Sequence, residues 1–325
     1  MRTASSLALK KNLLLRFTDE EQRTVHRVIV PSERIIRWGS WSGDGEEAAL
    51  VGNNGLMLQF HNDRFHELTS QTNEHLRCAS YNPKDSTILA VGNKGTIILM
   101  DKVGRARKLD SKTASNLRRA SWSPDGSYAI IVGNDGAALV WDGLSFVEIN
   151  GALNNLRSIT WDQEGSAYVS GNYFGPSMTP SPTLYKLDYE AKLLQSVAIT
   201  EKTDIISIDF GPEQQLLAVG YDLVWQEPRA YKWNGQALES VKVDEAGVYP
   251  TSVAWQPGNR FAFVGTGTPK PSGQGGGMVL GYTVEDGIKG RLFEDPEQRI
   301  VCVAWRPQSD YALIIGNRYA RTFST

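Results

Sequence analysis

Seven aromatic residues mark a period near forty residues that runs through almost the whole chain. They are Trp41, Tyr81, Trp122, Trp161, Phe210, Trp255 and Trp305, at spacings of 40, 41, 39, 49, 45 and 50. Around the first three, the copies align without gaps over their first half. These copies are IIRWGSWSGDGEEAALVGNNGLMLQF from Ile35, HLRCASYNPKDSTILAVGNKGTIILMD from His75 and NLRRASWSPDGSYAIIVGNDGAALVWDG from Asn116. A fourth copy opens at Asn155, and three looser ones follow at Asp204, Tyr249 and Arg299. A unit this short cannot bury its apolar face alone, so successive copies must stack on one another. Stacking also accommodates 325 residues without one oversized core.

Each copy reads as four short strands. In the third, an apolar run ends at Trp122 and a Ser123-Pro124-Asp125-Gly126 turn follows. A second strand covers Tyr128 to Val132, Asn134-Asp135-Gly136 makes a hairpin loop, and a third strand runs to Trp141. A weaker fourth strand lies between Leu144 and Ile149. The residues are Val, Ile and aromatics with regular turn punctuation, and no helical period emerges. Four strands per repeat and seven repeats predict an all-β, seven-bladed β-propeller with antiparallel blades. The last copy ends on a third strand, Tyr319 to Phe323. The stretch Leu13 to Val30 lies outside every copy and also reads as strand material. The expected organisation is one domain over 1–325. It has a tail over 1–11, and strands within 12–30 complete the last blade and close the ring.

The W-S-P-D-G string at Trp122–Gly126, its variants at Trp41, Tyr81 and Trp161, and the Trp141-Asp142 dipeptide resemble WD-repeat or TolB-like propellers. The likeness covers roughly residues 12–325. In propellers of that kind, the first strand of each blade lines the central channel. Its entering end opens on the face that also carries the loops between second and third strands.

Most repeated positions read as packing. Small residues precede each anchor (Ser40, Ser80, Ser121, Thr160, Asp209, Ala254, Ala304), as crowding at an axis requires. The Gly-Asn pairs Gly52-Asn53, Gly92-Asn93, Gly133-Asn134, Gly171-Asn172 and Gly316-Asn317 read as turn residues. One position is different. Four residues before the anchor stand Arg37, Arg77, Arg118 and Arg157, then Ile206, Thr251 and Val301. Three blades manage without arginine, so packing does not demand it. Four guanidiniums at equivalent places form an arc at the channel mouth, where they suit carboxylates, phosphates or carbonyls. The competing reading is that they tie neighbouring blades together.

Six residues before the anchors, His75, Tyr249 and Arg299 belong to a set that varies on a fixed frame, as binding positions do. Insertions between the second and third strands of blades 4–6 add aromatic candidates: Tyr173 and Phe174 in blade 4, and Trp225 in blade 5. The competing reading is that these loops merely cap their blades.

Catalytic chemistry finds little material. Four histidines and two cysteines, Cys78 and Cys302, sit in no metal-ligand spacing. The Gly-rich stretch from Gly265 lacks the order of a phosphate loop. Lys+Arg 34 against Asp+Glu 36 excludes nucleic-acid binding by bulk charge, and no apolar run is long enough for a membrane span. The expectation is a cytoplasmic, non-catalytic scaffold or recognition domain without cofactor or metal. It would bind a protein or acidic peptide, alone or within a longer chain. Two alternatives stay open: a binder of a small anion such as a sugar acid or nucleotide at the channel mouth, and a metal-assisted hydrolase or lyase.

Overall fold

The computed structural model describes residues 24–258, 261–268 and 275–324. These residues form seven antiparallel sheets of four strands each. Each anchor ends the first strand of one sheet. Those strands are Ile36–Trp41, Leu76–Tyr81, Leu117–Trp122, Leu156–Trp161, Thr203–Phe210, Tyr249–Trp255 and Ile300–Trp305. Each contacts the next, and the seventh returns to the first. The sheets are therefore blades around an axis, and the fold is a seven-bladed β-propeller. Blade 3 illustrates the local fit, with strands Leu117–Trp122, Ala129–Gly133, Ala138–Trp141 and Phe146–Glu148. Among the described residues, no helix is long and apolar enough to cross a membrane.

Alternation along the first strands decides what joins the blades. Side chains of successive strand residues point to opposite faces. The anchor and the residue two before it face the preceding blade. The indole N–H of Trp41 donates to the Ala304 carbonyl at 3.0 Å, that of Trp255 to Asp209 at 3.1 Å and that of Trp305 to Ala254 at 3.1 Å. Trp161 donates to the Ser121 hydroxyl at 2.8 Å. Every acceptor is the residue just before the preceding anchor. These four rings pack as apolar bodies with their one polar atom paired, whereas the Trp122 indole N–H is buried without a hydrogen-bond partner among the described residues. The residues three before the anchor face the following blade. There the Ser158, Ser207 and Ser252 hydroxyls accept the backbone N–H of Ile208, Val253 and Val303 at 3.3, 3.1 and 3.1 Å. At Gly39 the fit is tight, since a Cβ would lie 2.4 Å from the Ile315 side chain of blade 7.

Blade 7 draws on both ends of the described chain. Its strands Ile300–Trp305, Tyr311–Gly316 and Ala320–Ser324 are completed by Thr24–Val28. The pairing is antiparallel, from Thr24 opposite Ser324 to Val28 opposite Ala320. The strand found is shorter than the stretch read from sequence, for Ile29 and Val30 already lie beyond it. The expected tail over 1–11 and the strand material over 12–23 lie outside the described residues. Val28 joins an apolar cluster with Ile36, Leu50, Leu313 and Ile315, so the fourth strand seals the seam between blades 7 and 1. Deleting residues 1–30 is expected to lower and broaden the thermal transition, read by circular dichroism. A deletion variant that melts like the full chain would show that the seam does not depend on this strand.

Candidate functional site

The arginine position coincides with a break in the sheet. In blade 1, Ile36 lies opposite Gly52 and Trp38 opposite Val51, so Arg37 has no partner in the ladder. The same β-bulge recurs at Arg77, Arg118, Arg157, Ile206, Thr251 and Val301. An extra residue at a bulge leaves the ladder and has its side chain re-aimed. The bulge also brings the two strands close. A Cβ on Gly52, Gly92 or Gly133 would lie 2.1, 2.2 or 2.4 Å from the carbonyl oxygen of Ile35, His75 or Asn116. Only glycine allows that approach.

The asparagine after each glycine then does two jobs. Its backbone N–H donates to the same carbonyl, at 2.8 Å for Asn53 and 2.9 Å for Asn93 and Asn134. Its side-chain oxygen accepts the arginine Nε–H of its own blade. The pairs are Arg37–Asn53 at 2.9 Å, Arg77–Asn93 at 2.9 Å, Arg118–Asn134 at 2.8 Å and Arg157–Asn172 at 2.5 Å. The reading of these asparagines as turn residues alone missed this clamp. Blade 7 keeps the asparagine but has Val301 opposite, and the Asn317 side-chain oxygen is buried without a partner among the described residues.

With Nε held, each guanidinium presents its two terminal nitrogens. Among the described residues these nitrogens of the four arginines meet no acid. The arginines sense one another instead. Burial, with Arg77 and Arg299 nearby, pushes Arg37 down to about 10. Burial, with Arg157, Arg77, Arg119 and Arg37, pushes Arg118 to about 10 as well. Burial also lowers Arg77 and Arg299. At about 10, Arg37 and Arg118 stay charged near neutrality. Arg299 extends the arc by one blade, so cations run continuously through blades 7, 1, 2, 3 and 4. Blades 5 and 6 face them with Asp204 and a tyrosine pair, Tyr221 and Tyr249, whose ring centroids are 4.7 Å apart. Burial raises the Tyr249 phenol, with Arg157 and Arg299 opposing.

Several variable positions have a structural task. His75 Nδ1 accepts the Asn54 N–H of the preceding blade at 3.0 Å. Asn116 and Asn155 do the same for Lys94 and Asp135, and Asp204 for Tyr173. Burial, then Arg77 and Arg37, lowers the His75 pKa, which suits an accepting, neutral ring. The aromatic loops join the second and third strands of blades 4 and 5. Tyr173 and Phe174 are half-buried against each other, ring centroids 4.9 Å apart. Trp225 is 72 % exposed, and the Asp222 carboxylate fixes its turn by accepting the N–H of Val224 and Trp225. The blade 6 insertion falls partly outside the described residues.

Deeper in the channel, the Arg119 guanidinium of blade 3 stacks on Trp38 of blade 1 at 3.6 Å. Neither residue stood out in the sequence. The free, buried Cys78 and Cys302 adjoin this arginine, and burial raises both thiols. Among the described residues, no three histidines, cysteines or acids are grouped to hold a metal. Burial also raises the Asp209 carboxyl to about 6, although the N–H of Trp255 and the Thr160 hydroxyl donate to it. Its ordinary value is 3.8, so the folded state favours the protonated form. The burial penalty is then complete above about pH 6 and is relieved as pH falls toward about 4. The stability of the wild type relative to Asp209→Asn should therefore rise on acidification through that window. Melting temperatures of the two proteins measured side by side test this, and a constant difference would refute it.

Residues 2–162 match the family described as Eukaryotic translation initiation factor eIF2A. No curated protein matches the chain. Among solved structures, it is similar to YCF48 bound to D1 peptide, with a TM-score of 0.68 and 14% identity over 94% of this chain and 96% of that one. It is also similar to the β-propeller domain of Cps50 (Swd1) from Myceliophteria thermophila. The TM-score there is 0.68, with 10% identity over 93% of this chain and 100% of that one. At these identities the structural likeness speaks for the fold alone, a β-propeller.

Proposed function

We propose that this chain is a non-catalytic recognition module, a single propeller domain that holds a protein partner or acidic peptide on its arginine face. One observation carries the reading. Arg37, Arg77, Arg118 and Arg157 are held through Nε by asparagines of their own blades, and their terminal nitrogens meet no acid among the described residues. A purely structural arginine would end on a carboxylate or a carbonyl. These four are positioned and left open, which is the arrangement that receives an anion from outside. His75, Tyr249 and Arg299 complete the mouth, and Tyr173, Phe174 and Trp225 offer apolar contacts around it. The eIF2A match covers all four arginine-bearing positions, so components of translation initiation are the first partners to screen. The peptide held by YCF48 is a precedent for a propeller of this shape receiving a chain segment.

The test compares the wild type with a variant carrying Arg37→Ala, Arg77→Ala, Arg118→Ala and Arg157→Ala, once both are shown to melt alike. Each lost charged contact should weaken partner binding by about tenfold. The remaining affinity should fall with added salt. Equal binding by the two proteins would make the arginines structural and turn attention to the loops of blades 4–6.

A further inference from the structure

The cationic mouth is recessed, and that restricts what can reach it. Its arginines sit at the bulges, half-buried, and Arg37, Arg77 and Arg118 are tied through Nε to the asparagines that open the turns Asn53–Gly55, Asn93–Gly95 and Asn134–Gly136. The arc is also compact. Arg118 in blade 3 is close enough to Arg37 in blade 1, Arg77 in blade 2 and Arg157 in blade 4 to feel all three charges.

We propose that the mouth is a binding site for adjacent phosphoryl groups, with the charge and size of a diphosphate. This rests on the reading that the arginine face is the binding face. The donor count favours phosphoryl groups over a carboxylate. Each guanidinium has about five N–H donors, of which the asparagine uses one, while a carboxylate accepts at about four sites. One carboxylate therefore leaves most of the arc unsatisfied. Two phosphoryl groups bring about six terminal oxygens and a charge near −3 to −4. That suits the local balance, in which Arg37, Arg77, Arg118, Arg157 and Arg299 outnumber the acids among the described residues of the mouth, Asp204 beside Arg157 and Glu74 beside His75. The Tyr249 phenol, close enough to sense both Arg157 and Arg299, adds a neutral donor on the far side.

Two sources supply this chemistry: a free diphosphate, or neighbouring phosphorylated side chains on a peptide. Calorimetric titration of the full chain with pyrophosphate, with a peptide bearing two adjacent phosphoserines, and with the same peptide carrying glutamates tests the proposal. At least one phosphoryl ligand should bind about tenfold or more tightly than the glutamate peptide. Pyrophosphate that binds alone and displaces the phosphopeptide points to a free diphosphate, and a much tighter phosphopeptide points to a modified partner. Arg118→Gln should weaken binding about tenfold. Val301→Arg should strengthen it several-fold, because Asn317 already offers an unpartnered oxygen to hold the new Nε. Glutamate and phosphoserine peptides of equal affinity would overturn this proposal and leave acidic-peptide recognition standing. Phosphoryl binding that neither substitution changes would also overturn it. No binding of any anion, with partner binding unaltered in the quadruple alanine variant, would overturn both.

Discussion

Seven strands meet on one axis, and the space left there governs residue choice along each of them. The residue before each anchor is small in most blades, as Ser40, Ala254 and Ala304 are, and Gly39 stands where blade 7 leaves no room for a Cβ, while the channel still admits the stacked pair Arg119 and Trp38. Alternation then assigns alternate residues to the preceding and the following blade. On one side the indoles of Trp41, Trp161, Trp255 and Trp305 donate backwards. On the other, the hydroxyls of Ser158, Ser207 and Ser252 accept from the blade ahead. The ring is held by these reciprocal bonds and by the apolar clusters behind them. No blade is sealed without both neighbours.

The bulge at the entrance of each first strand follows from the same geometry and links packing to the site. It is present in all seven blades, with or without an arginine, so it belongs to the fold. Four blades exploit it by placing a guanidinium where the chain turns a side chain out of the ladder. Half-burying guanidiniums and then setting them side by side is unfavourable, and the pKa values of Arg37 and Arg118 are depressed by burial first and by the neighbouring arginines second. A feature that works against stability yet is held in place by dedicated partners is the ground for proposing the binding face here. The Asn53, Asn93, Asn134 and Asn172 side chains are those partners.

The sequence exposed whatever repeats. The anchors, blade number, strand order and arginine arc could all be read by aligning copies, because each obeys one register. It hid whatever depends on two copies meeting. The bulge has no residue signature apart from the glycine opposite, so Gly52 and Asn53 looked like an ordinary turn. His75 and Asn155 looked variable because each only needs an acceptor atom for the turn of the blade before it. Arg119 on Trp38 spans two blades at positions that carry serine or cysteine elsewhere, and no alignment of copies pairs them. Arg299 escaped the arc because it sits two residues earlier in its copy than the other four arginines. Only the closed ring places it beside Arg37.

The fourth strand of blade 7 bears on how such a chain assembles. Thr24 and Ser324 are partners in space and three hundred positions apart in sequence. Every other strand pair forms between neighbours, so six blades can organise locally and early, while the last pairing carries nearly the whole loop-closure entropy of the chain. During synthesis the Thr24–Val28 strand leaves the ribosome ahead of the other described strands of the propeller and waits, its edge open, until Ala320–Ser324 follows. Through that interval it is the segment most exposed to a wrong partner, another copy of the same chain included, and speed of completion becomes its protection.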